Sequence, residues 1–168
     1  MTPDTVGPLS RPILVEKAMR SGQEIVVEAN EEEREALARD FALPAIRSLT
    51  GRFRLSGSLH RLQVTGRVEA ALAQTCVVTL EPFDTEVSEA VDVDFSAPDA
   101  FAGTAAEDAE MPDPIVNGRI DLGSLTAEFL ALGLDPYPRK PGVAFEPAVE
   151  SAEEHPFAGL QALRDAKP

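Results

Sequence analysis

The chain predicts an α+β fold: a strongly bent antiparallel sheet, or a partly closed β-barrel, packed by two main helices. Three observations point there. Residues 51–72 (GRFRLSGSLHRLQVTGRVEAAL) alternate apolar and polar with one change of phase, the pattern of two antiparallel strands. Asn30 and Asp121 each stand as helix caps ahead of apolar residues at helical spacing. The other apolar runs are short, rich in β-branched residues and bounded by turn formers.

From the N-terminus, Pro12 to Lys17 (PILVEK) and Glu24 to Glu28 (EIVVE) read as two short strands separated by Ser21-Gly22. Asn30 opens a helix to about Ala42, with Glu33 placed to complete a capping box and Leu37 and Phe41 facing the core. Pro44 stops it. In the alternating stretch, Phe53, Leu55 and Leu59 share one face, and Leu62, Val64, Val68, Ala70 and Leu72 continue it after a phase change near His60-Arg61. Arg52, Arg54, Ser56 and Ser58 then take the outer face of the first strand, and Gln63, Thr65 and Arg67 that of the second. A further strand covers Phe83 to Phe95, where Thr85 and Glu89 interrupt the apolar row and a bulge near Glu89 is expected.

Residues 96–114 are acidic, rich in small residues and free of Lys and Arg, and read as a mobile loop. Ile115 to Ile120 is read as an edge strand. Asp121 caps a helix through about Leu132, whose stripe is Leu122, Leu125, Phe129 and Leu132, and Gly133 ends it. The prolines of LDPYPRKPG forbid continuation. A single domain over 1–145 is therefore expected, followed by a flexible tail at 146–168. In that tail Pro156 starts a short segment presenting Phe157, Leu160 and Leu163, an apolar stripe suited to the protein's own core or to a partner.

The net charge of −14 argues against a nucleic-acid partner, but the average hides an asymmetry. Residues 1–67 carry ten basic and nine acidic side chains, whereas 68–168 carry five and twenty. Between Phe41 and Val68 stand Arg47, Arg52, Arg54, Arg61 and Arg67, with His60 and no acid. That window is the candidate surface for RNA phosphates. With Tyr137 in another segment, contacts would be to phosphate rather than stacked bases.

Other chemistry is weakly signalled. The single cysteine, Cys76, has no Cys three residues on, where Thr79 stands, and only His60 and His155 exist as imidazole bases. Burial as a small apolar side chain is the plain reading. Asp92 and Asp94 share a strand face, as paired carboxylates and solvated faces both do. No phosphate-binding loop, nucleophile elbow or zinc-protease motif occurs, so no catalytic residue, cofactor, metal or small-molecule substrate is assigned. No secretory signal or membrane-length apolar run is seen, and a cytoplasmic protein without membrane contact is expected.

Three runs, GRVEAALAQTCVVTLEPFDTEV, IDLGSLTAEFLALGLDPYPRKPGVAF and HPFAGLQAL, occur in an order that resembles the YceD family, the large-subunit ribosomal RNA accumulation proteins, in their alphaproteobacterial form. The resemblance runs from about Gly51 to Leu163. Its motif residues here are Cys76, Leu80, Pro82, Asp121, Leu122, Gly123, Glu128, Asp135, Pro136, Tyr137 and Pro138. Many members carry a second cysteine where this chain has Thr79, which separates it from any zinc-linked role. The resemblance implies a non-enzymatic factor in ribosome biogenesis that supports accumulation of large-subunit rRNA, through rRNA or a ribosomal protein. An acidic, chaperone-like module holding a basic ribosomal protein without RNA contact is the alternative, and a small uncharacterised enzyme the remaining one.

Overall fold

The structure is a computed structural model, and it describes residues 7–97 and 112–144. Its α+β architecture is an open, bent five-stranded sheet, a two-stranded sheet and three helices. The elements are β1 (Pro12–Leu14), α1 (Val15–Ser21), β2 (Ile25–Glu28), α2 (Glu31–Asp40), β3 (Ala45–Ser58), β4 (Arg61–Thr75), β5 (Pro82–Ser96), β6 (Asp113–Pro114), β7 (Arg119–Asp121) and α3 (Leu122–Gly133). The large sheet runs β2-β3-β4-β5-β6, antiparallel except for the short parallel β5–β6 pairing. The sheet does not close into a barrel.

The central hairpin follows from the alternation. Phe53, Leu62, Val64, Val68, Ala70 and Leu72 are buried on the inner face, while Arg52, Arg54, Gln63 and Arg67 are exposed on the other. Ser58 pairs with Arg61, so Leu59-His60 forms the turn. The first strand begins at Ala45 rather than Gly51, because the chain leaves α2 at Asp40, turns before Pro44 and pairs at once with Ala73. Its register shifts between Ile46 and Ser48. The bulge expected near Glu89 is absent, and the β4–β5 ladder runs unbroken past it. Glu89 is accommodated on the inner side because it lies against Gly133 of α3, where a Cβ would sit 2.6 Å from the Glu89 Cγ.

Around the N-terminus the expectation needs correction. PILVEK is a strand only to Leu14, and helix α1 takes over at Val15. The pairing with β7 ends at Leu14–Arg119, after which Glu16 and Arg20, one helical turn apart at 3.6 Å, and the left-handed Gly22 cap favour a helical turn over the β-branched preference. Ser21-Gly22 is thus a helix end. Helix α2 is capped by Asn30 and Glu33 with both bonds of the capping box, 2.9 and 2.8 Å. It ends at Asp40, two residues before the expected Ala42, which turns at φ 53°.

Ile115 to Ile120 is not one strand. Asn117-Gly118, both at positive φ, turns the chain between Val116 and Arg119, and β7 begins only after it. In α3 the buried face is Leu122, Leu125, Thr126 and Leu130, whereas Leu132 is 73% exposed and lies off the expected stripe. The helix includes Gly133, with Leu134 as its cap. Helix α3 lies on the inner face across β3, β4 and β5, and α2 packs against β3. Within the expected acidic loop, β5 extends to Ser96 and β6 occupies Asp113–Pro114. Residues 98–111 of that loop, and the tail with Phe157, Leu160 and Leu163, lie outside the described residues.

Candidate nucleic-acid interface

Alternation along β3 and β4 places Arg52, Arg54, Arg61 and Arg67 on the outer face of the sheet, away from both main helices. Arg52 stands directly opposite Arg67. Across the four strands their row reads Val26, Arg52, Arg67, Ala90, with no carboxylate in it. Like charges facing each other, with Cβ atoms roughly 5 Å apart, destabilise a sheet. Arg67 donates to Ser88 Oγ at 2.8 Å, and neither Arg52 nor Arg67 has an ion-pair partner among the described residues. Beside the pair, a shallow trough of about 330 Å³ is lined by the Ser48, Thr50 and Ser88 side chains together with Arg52, Glu69 and Glu86.

The other two arginines differ in what surrounds them. Arg54 lies 3.7 Å from Glu24, and Arg61 closes the far end of the face at the hairpin turn without an ion pair among the described residues. Arg47 falls at the register shift and pairs with Asp84 on β5. His60 is in the turn itself. Carboxylates border the arginines on both sides, with Glu28 on β2 and Asp84, Glu86, Asp92 and Asp94 on β5. Asp92 accepts a 2.9 Å bond from Gln63 Nε2. The face thus has its arginines between acidic margins, with Glu69 of β4 two residues from Arg67 on the same side.

The motif residues assemble two structural junctions elsewhere. At one end of the sheet, Cys76 is buried, its N–H bonded to Glu81 O and its carbonyl accepting from Leu80 N–H. Leu80 turns at φ 59° with its side chain exposed, and Pro82 starts β5. The segment after α3 closes over this loop: Val77 N–H donates to Pro138 O, Gln74 Nε2 to Asp135 O, and Lys140 N–H to Cys76 Sγ at 3.4 Å. Asp135 also accepts from Tyr137 N–H across Pro136, leaving the Tyr137 ring exposed. The amide of Lys140, then the hydroxyl and amide of Thr79, hold the Cys76 thiol down to about 6. His60 stands at the other end of the 15-residue β4, roughly 50 Å along an extended strand. His155 lies outside the described residues, and among those described no His/Cys/Asp/Glu group is arranged to hold a metal ion.

The second junction centres on Asp121, which caps α3 through Gly123 N–H (2.8 Å) and Ser124 N–H (3.1 Å). The same carboxylate accepts from Ser10 Oγ and from Arg11 N–H at 2.6 Å. Burial acts to raise its pKa, and these four bonds outweigh burial and leave it lowered. Arg11 in turn makes a two-bond pair with Glu33 of α2, 2.7 and 2.9 Å, which lowers the Glu33 pKa and raises that of Arg11. Gly123 is required here because a Cβ would meet the backbone of Ser10 and Arg11. Leu122 beside it is fully buried. Further along α3, Glu128 is raised by burial and by Asp113 and Asp121. Ser10, Arg11 and Glu33 carry no sequence signal for this role beyond the capping box.

An α+β protein whose motif residues build structural junctions is placed by comparison with known families. The family model described as large ribosomal RNA subunit accumulation protein YceD matches residues 64–164, more than half of the chain, and the protein belongs to that family. A search of curated proteins finds no match, and neither does a search of solved structures. The matched span begins within β4, so β1, α1, β2, α2, β3 and the start of β4 precede it, with Arg47, Arg52, Arg54 and Arg61. Among the described residues no helix is long and apolar enough to cross a membrane.

Proposed function

We propose that the protein supports accumulation of large-subunit rRNA without catalysis, by binding rRNA phosphates on the outer face of its sheet. The observation that carries this reading is the Arg52–Arg67 pair: two guanidinium groups directly opposite, without an ion-pair partner among the described residues, beside a trough that Ser48, Thr50 and Ser88 line together with Glu69 and Glu86. A phosphate between them relieves the repulsion that the bare sheet bears. Arg54 and Arg61 extend the contact along the strands, while Arg47 is withdrawn from it by Asp84. The acidic margins limit binding to a narrow strip and oppose indiscriminate attachment to nucleic acid. A cytoplasmic site of action accompanies this reading.

The test is binding to large-subunit rRNA across a salt series, comparing wild type with Arg52→Ala/Arg67→Ala. Loss of two phosphate contacts lowers the slope of log K against log salt by roughly 1.4–1.8. An unchanged slope and affinity would remove these arginines from the interface. No binding by the wild type at low salt would dispose of the RNA reading altogether.

A further inference from the structure

Strand β5 pairs with β4 from Pro82 to Phe95 on one side. On the other side β6 pairs only with Phe95 and Ser96. Among the described residues nothing pairs with β5 from Pro82 to Asp94 on that side. Edge strands are ordinarily kept short, bulged or covered, and this one is long and regular.

The direction of the ladder identifies the unpaired backbone groups. Ala71 N–H points toward β3, reaching Ser48 Oγ at 3.3 Å, so Ala71 and Glu86 form a pair without mutual hydrogen bonds. Ser96, of the same parity as Glu86, turns its carbonyl outward to accept from Ile115 N–H at 2.8 Å. The free groups are therefore the amides and carbonyls of Asp84, Glu86, Ser88, Ala90 and Asp92 and the amide of Asp94. All six side chains are exposed on the outer face. On the inner face Val87 and Val91 are buried, while Phe83 and Val93 are half-buried.

We propose that this edge takes up, as an added strand, an extended segment of a second protein in which Lys or Arg alternates with apolar residues. Side chains of the added strand that point outward would lie beside Asp84, Glu86, Asp92 and Asp94, on a strand that has no basic residue. Those that point inward would continue the apolar row of Phe83, Val91 and Val93. Charge selects this occupant over the others. A second copy would set β5 against β5, carboxylate facing carboxylate. Residues 98–111 of the chain carry four acids and no base, and 145–168 carry five acids and two bases. This edge adjoins the arginine face at Ser88, which accepts from Arg67, but it binds through backbone amides and carbonyls rather than through Arg52 and Arg67, so either reading survives failure of the other.

The probe is a peptide of about ten residues alternating Lys and Val, added to the full-length protein. Two companions are the same peptide N-methylated at alternate amides and a shuffled peptide of equal composition. Strand addition slows hydrogen exchange at the amides of Glu86, Ser88, Ala90 and Asp92, and N-methylation weakens binding roughly tenfold or more. The exposed Asp92→Lys/Asp94→Lys variant should instead prefer a Glu/Val peptide. Three outcomes overturn the proposal: equal binding of all three peptides without amide protection, no binding at low salt, or amides already protected in the free full-length chain. The last would show the edge covered by the protein itself or by a second copy.

Discussion

Replacing Gly123 by Ala separates local preference from tertiary packing, because the two predict opposite signs. In an isolated helix the change stabilises by about 1 kcal/mol. In the folded protein the new Cβ would sit 2.6 Å from Arg11 N and 2.8 Å from two Ser10 backbone atoms. Backbone cannot rotate aside, so the Ser10–Arg11 segment must move. At risk are the bonds of Arg11 N–H and Ser10 Oγ to the Asp121 carboxylate, and that of Leu122 N–H to Arg11 O at 3.2 Å. Bonds to a charged group contribute about 1.5–3 kcal/mol each and the neutral one about 0.5–1.5 kcal/mol. If relaxation recovers half of the total, about 2–4 kcal/mol is lost, and the net after the helix gain is about 1–3 kcal/mol of destabilisation. Urea unfolding should then show a midpoint lower by roughly 1 M at an m-value near 2 kcal/mol per M. A midpoint that is unchanged or higher would refute the tight junction.

Three further outcomes follow from the charged and sulfur groups. Asp121 and Glu33 both have lowered pKa values when folded, so their stabilisation is complete above the unfolded values and is lost as pH falls through the lowered ones. Thermal stability should decline below about pH 5, and Asp121→Asn should flatten that decline. Glu128 has the opposite sign, since its raised pKa means that its ionised form is disfavoured by folding. Glu128→Gln should raise the melting temperature at neutral pH and lose that advantage in acid, which a pair of melts at the two pH values would check. The Cys76 thiolate should titrate at about 6 by ultraviolet absorbance, and Thr79→Val should move the midpoint upward by removing the hydroxyl donor. A wild-type midpoint in the ordinary thiol range would contradict the described donor set.

Period and caps were legible in the chain alone. The two-residue alternation of 51–72 is a local property of a half-buried hairpin, and it assigned Arg52, Arg54 and Arg67 to the solvent side. Asn30 with Glu33, and Asp121, announce helix starts because the bonds involved span three residues or fewer. Asn117-Gly118 is an equally local turn signal, and it breaks the run from Ile115 to Ile120. The misjudged elements had competing local preferences. PILVEK is β-branched enough for a strand, yet its pairing with β7 stops at Leu14. Leu132 fits a helical stripe by spacing, but the side of α3 that meets the sheet is decided by how the helix lies on β3, β4 and β5.

The sequence by itself determined which residues alternate, where two helices start and which half of the chain carries the negative charge, because each depends on neighbours within a few positions. Strand order and register were decided only by the tertiary structure. They set Arg52 against Arg67, drew Arg47 away to Asp84, and left one side of β5 open over most of its length among the described residues. The same is true of the Asp121 junction, whose partners Ser10 and Arg11 lie 111 and 110 residues away. No local pattern encodes a contact at that range, since it arises from the packing of one face against another.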